Sequence, residues 1–165
     1  MLARLVGSVR RNHALEHATI SILMGRLGPD LRLVGRATAS GFYIYGNVPD
    51  EEVKESARQG LDRLQGGDSM LAVSPLCGTN LAVAGLMAGL ASVASAGNRG
   101  RWERLPAVLL ASMLAVLAAK PVGRWMQKYV TTSPDLADVE ILGVRSSPRA
   151  RGYYRKVETA RKPTA

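Results

Sequence analysis

At 165 residues with 47% hydrophobic content, the chain has room for one compact domain and little more. Its net charge of +9 comes from 22 basic residues scattered along the sequence, with no zinc-finger spacing and no basic platform interleaved with aromatics, which points away from nucleic acid and toward flanks beside anionic lipid. Cys77 is the one cysteine, so an intramolecular disulfide is excluded and a reducing compartment leaves the thiol free for a metal or for chemistry.

The N-terminus, MLARLVGSVRRNHALEH, has no apolar core long enough for a secretory signal and no lipidation motif, so the soluble part is expected in the cytoplasm. Arg10 to Leu27 reads as a helix with an apolar stripe of Ile20, Leu23, Met24 and Leu27, stopped by Gly28-Pro29-Asp30. This helix carries both histidines of the chain. His13 and His17 are four residues apart and leave the same face, while Glu16 adjoins His17 and stands three residues from His13. The pattern is H-x-x-E-H, the inverted zinc-hydrolase arrangement.

Two strand-like runs follow, Leu31 to Ala37 and Gly41 to Val48. In the second, Phe42 and Ile44 alternate with Tyr43 and Tyr45. Pro49-Asp50-Glu51-Glu52 opens another helix, whose acidic first turn suits the helix dipole; Val53, Ala57, Leu61 and Leu64 form its buried stripe, and Gly66-Gly67 ends it. Ser69 to Ser74 reads as a short buried strand leading into the turn Pro75 to Asn80.

Leu81 to Ala96 and Leu105 to Ala119 carry no charge. Each falls short of a bilayer span, but Asn80, Gly97, Lys120, Pro121 and Val122 bring both close to the length required. The short loop GNRGRWER between them predicts an antiparallel membrane hairpin, in which Gly85 and Gly89 have the G-x-x-x-G spacing that allows close helix approach and self-association as a homodimer. Most basic residues lie outside the hairpin, although Arg99, Arg101 and Arg104 lie in its loop. The expectation is a bacterial inner membrane protein, with the lipid bilayer as a partner and the soluble domain facing the cytoplasm. Ala137 to Val144 and Gly152 to Glu158 read as further strands. The organisation expected is residues 1–79 as the first part of an α+β domain, 80–123 as the hairpin, 124–158 as strands completing the domain, and 159–165 as a basic disordered tail.

Catalytic zinc or iron needs three protein ligands and one open position. His13 and His17 supply two. For a third the chain offers several carboxylates and the Cys77 thiol, which stands in a turn after the predicted strand. Glu16 is placed to take a proton from a water that the metal acidifies.

HALEH, a strand ending in SGFYIYGNVPDEEV, the helix ARQGLDRL and then LCGTN together resemble the S-ribosylhomocysteine lyase family, in which H-T-L-E-H, G-F-Y, P-D-E and C-G-T follow in that order. That family shares a metallohydrolase fold with processing peptidases that also use H-x-x-E-H. The resemblance covers roughly His13 to Asn80, and its specificity lies in the ordered set. It implies His13, His17 and Cys77 as ligands to Zn2+ or Fe2+ and Glu16 as general acid/base, so it selects the thiol that coordination chemistry also offers. Two departures argue against the lyase reaction: Thr38 stands about where the family has a catalytic cysteine, and Ala39 stands where it has arginine. The HALEHAT and CGTN signatures beside a membrane hairpin also resemble an uncharacterised family of small bacterial membrane proteins, which brings no activity with it.

Tyr43 and Tyr45 share a strand face where packing is the usual role. Thr79 and Asn80 suit capping of the first membrane helix. Glu140 is the runner-up third ligand, as in the peptidases, against the default of a solvent-facing strand carboxylate. The expectation is therefore a membrane-anchored metal-dependent hydrolase of α+β, metallohydrolase-like fold. The alternative is a non-catalytic metal-binding or sensing module.

Overall fold

The computed structural model describes residues 2–28, 30–96, 101–146 and 154–162. Their contacts divide the chain into two compact units. Met1–Ser74 with Lys128–Ala165 form one, and Pro75–Gln127 form the other.

The first unit is α+β. Helices α1 (Leu2–Leu27) and α2 (Asp50–Gln65) pack on a four-stranded antiparallel sheet of β1 (Val34–Thr38), β2 (Gly41–Tyr45), β3 (Val139–Ser146) and β4 (Tyr154–Arg161), in the order β1-β2-β4-β3. Alternation along β2 sends Phe42 and Ile44 inward, where they meet Leu15, Leu23, Val53 and Val157 in the core. Tyr43 and Tyr45 point the other way and cluster with Tyr154, with ring centroids 5.8–6.2 Å apart, so they pack with each other away from the histidines. The acidic first turn of α2 is tied to the sheet where Arg155 Nε donates to Asp50 at 2.7 Å.

Arg155 holds the Asp50 carboxyl below the usual carboxylate range, chiefly through that hydrogen bond. A depressed folded value means the pair stabilises the fold above the ordinary carboxylate pKa and loses this contribution as pH falls through the folded value. Asp50 is 44% exposed, so Asp50→Asn is expected to lower stability at neutral pH by only about 0.2–1 kcal/mol. The gap from wild type should close on acidification below about pH 4 in paired thermal melts.

Three sequence expectations change here. Helix α1 begins at Leu2, two turns before Arg10. Ser69–Ala72 is a 3-10 turn, held by Leu71 N–H to Asp68 O and Val73 N–H to Met70 O, where a strand was expected. A short apolar run has no period that separates strand from turn. Residues 159–161 belong to β4 rather than to a tail, because Arg161 pairs with Asp138 and Lys162 N–H reaches Asp138 O. The start of the predicted strand at Gly152, the first half of the loop GNRGRWER (residues 97–100) and the last residues 163–165 lie outside the described residues.

The second unit is a helical pair, α3 (Gly78–Ser95) and α4 (Arg101–Met126). Both helices are long and apolar enough to cross a membrane: Gly78–Ser95 has mean hydropathy 1.3, and an 18-residue stretch within Glu103–Thr131 has 1.9. No residue of α3 is buried, and Leu81, Leu86, Leu109 and Met113 are exposed, the distribution that an apolar solvent permits. Polar side chains fasten the pair. Ser92 and Ser112 share a 2.8 Å hydrogen bond, and buried Gln127 donates to Asn80 Oδ1 at 2.7 Å. Gly123 permits the latter approach, since a Cβ there would stand 2.3 Å from Asn80 Oδ1. Gly85 and Gly89 do not serve this packing, because nothing among the described residues lies within 4 Å of a Cβ built on either.

Candidate metal centre

Helix α1 puts His13 and His17 on one face with ring centroids 4.4 Å apart. His17 is 3% exposed, and its Nδ1 lies 2.8 Å from Ala72 O; Nδ1 of His13 lies 3.0 Å from Thr131 O. A carbonyl oxygen can only accept, so each Nδ1 carries a proton, and the lone pair of the neutral ring form is then on Nε2. Metal-binding histidines are ordinarily held this way. His17 Nε2 is buried without a hydrogen-bond partner among the described residues, a loss of about 1–3 kcal/mol for an unsatisfied polar group, which a bound cation would remove.

Both carbonyls are fixed by their surroundings. The 3-10 turn aims Ala72 O, and Arg10 grips the segment around Thr131 by donating to Tyr129 O at 3.0 Å and Thr132 O at 2.9 Å. Asn12 anchors the same helix from its other flank, donating to Thr38 O and accepting from Thr159 Oγ1, each at 2.8 Å. None of these supports was read from the sequence. Arg10 and Asn12 were visible as polar residues beside the motif, but the carbonyls they serve were not.

Cys77 is buried and N-caps α3, its Sγ accepting the Thr79 N–H at 3.4 Å. One donor atom each from His13, His17 and Cys77 lies within 4.8 Å of the others. The set of two imidazoles and one thiolate fits zinc or ferrous iron and leaves a position open. Glu140, on β3, is not in this group.

Glu16 is buried beside the histidines, with Oε2 3.8 Å from His13 Nε2. That separation is too long for a hydrogen bond. Its carboxyl lies over Gly35 of β1, where a Cβ would stand 1.8 Å from Oε1 and 2.3 Å from Cδ. Gly35 is thus the floor under Glu16, and the available signal was a glycine inside a strand, which often marks close approach. Gly35→Ala is expected to destabilise the fold by about 1–3 kcal/mol through overpacking, and by much less in a Glu16→Ala background. Denaturant titration of the four proteins reads the coupling; equal losses in both backgrounds would contradict the contact.

Residues 8–144, which include His13, Glu16, His17 and Cys77, match the family described as a domain of unknown function, DUF6391. An uncharacterized protein of Picosynechococcus sp. (strain PCC 7002) is 32% identical over 135 residues, covering 76% of this chain; the match spans 66% of that protein's length. No solved structure matches the chain.

Proposed function

We propose that this chain, which belongs to the DUF6391 family, is a membrane-anchored metal-dependent hydrolase. The observation that carries the reading is the donor set: two imidazoles with Nδ1 committed to backbone carbonyls, a buried His17 Nε2 without a partner among the described residues, and the Cys77 thiol. His13, His17 and Cys77 would hold zinc or ferrous iron, which supplies Lewis acidity and lowers the pKa of water. Glu16 provides what the ligands cannot. Its carboxylate oxygens can accept a proton from the attacking water and return it to the leaving group. Gly35 and the anchored histidine rings keep that carboxylate from swinging away. The apolar helices α3 and α4 anchor the chain in a bacterial inner membrane, with the α+β unit on the cytoplasmic side, where most of the basic charge lies. Cys77 is one residue from the start of α3, which favours a peptide or small-molecule substrate at the membrane surface.

The test is turnover of a panel of peptides and ester-bearing amphiphiles by the full chain in nanodiscs, before and after loading with zinc or ferrous iron. Turnover that depends on the metal supports the hydrolase. A fully loaded protein inert toward the whole panel supports the second reading, a non-catalytic metal-binding or sensing module, which the burial of Glu16, His17 and Cys77 also suits.

A further inference from the structure

We propose that the helical pair holds one anionic phospholipid at the end where α3 begins and α4 finishes. There the unit Pro75–Gln127 contains a cavity of about 560 Å³, walled by Leu81 and Ala84 of α3 and by Val116 of α4, with Lys120 and Arg124 in the same lining. The volume is that of a small-molecule site. Lys120 and Arg124 are four residues apart on one face of the last turns of α4, and no carboxylate is among the described lining residues. Two cations with no acidic partner among the described residues call for an anion.

The walls decide what kind of anion. A free phosphate would gain from the cations and nothing from Leu81, Ala84 and Val116, whereas an amphiphile uses both halves of the cavity. The ends of helices long enough to cross a bilayer lie at headgroup depth, where lysine and arginine meet lipid phosphates. The competing account is that Lys120 and Arg124 merely complement the C-terminal dipole of α4 and extend to a charged surface. That account is indifferent to the apolar walls, which separates the two experimentally. Cys77 also lines the cavity, so the lipid would lie beside the proposed third ligand, but the assignment itself needs no metal.

The experiment is native mass spectrometry of the full chain in neutral detergent with a chelator present, titrated with palmitoyl-oleoyl phosphatidylglycerol or with the phosphatidylcholine of the same chains. Wild type should retain one phosphatidylglycerol about tenfold more tightly than phosphatidylcholine. Lys120→Gln with Arg124→Gln should erase that preference. Ala84→Trp, which fills the cavity and keeps both cations, should weaken retention of the single lipid about tenfold. Arg32→Gln with Arg58→Gln, exposed positions of the α+β unit, should change nothing. Equal retention of the two lipids by wild type, an intact preference in the Lys120 and Arg124 variant, unaltered retention in Ala84→Trp, or displacement of the lipid by soluble glycerol phosphate would each overturn the assignment. Because the titration is free of metal, its failure leaves the hydrolase reading untouched.

Discussion

Glu16→Gln is expected to keep metal at the wild-type level while lowering metal-dependent turnover about 10²- to 10⁴-fold. The substitution is nearly isosteric, so the side chain still fits over Gly35, where there is no room for a Cβ and hence little room for rearrangement. What changes is proton affinity: a carboxamide does not accept a proton near neutral pH. Glu16 is not in the donor group of His13, His17 and Cys77, so metal content should not follow activity. Metal analysis beside turnover of the best panel substrate reads both quantities. Turnover unchanged by the substitution would remove Glu16 from the mechanism and leave a binding role.

Cys77→Ser should have the largest effect on the metal itself. Mutations of groups that only support metal ligands typically lower affinity about 10- to 100-fold, so replacing a thiolate ligand by a neutral hydroxyl should cost at least about 100-fold. The variant is informative because of what it spares. Cys77 caps α3 by accepting the Thr79 N–H, and serine is a favoured residue at that position, so the helix start should survive the substitution. Loss of metal with the fold retained would therefore report ligation and not collapse. Circular dichroism at equal protein concentration provides that control.

The part of the site carried by one helix was legible because helical spacing alone puts His13, Glu16 and His17 together. The groups that make them useful were not. Ala72 O and Thr131 O are 55 and 118 residues from the histidines they hold, and a backbone carbonyl has no signature in a side-chain sequence. The same limit explains Ser69–Ala72, where an apolar run suggested a strand and the chain instead makes the 3-10 turn that delivers Ala72 O. Gly35 was passed over because a glycine shows what its neighbours need only once the neighbour, Glu16, is in place. The hairpin was legible from its missing charges. Its fastening was less so: the G-x-x-x-G pair drew notice, while contact is made through Asn80, Ser92, Ser112 and Gly123. The proposed third ligand rests on the order of motifs, since the histidines' own spacing leaves the carboxylates and Cys77 equally open.

The measurement closest to the central claim is metal per chain on protein purified anaerobically, under reducing conditions and without a histidine tag, for wild type beside Cys77→Ser. About one zinc or iron per wild-type chain, sharply reduced in the variant, is the predicted result. Absence of metal from both proteins, even after reconstitution, would contradict the metal centre and the hydrolase built on it.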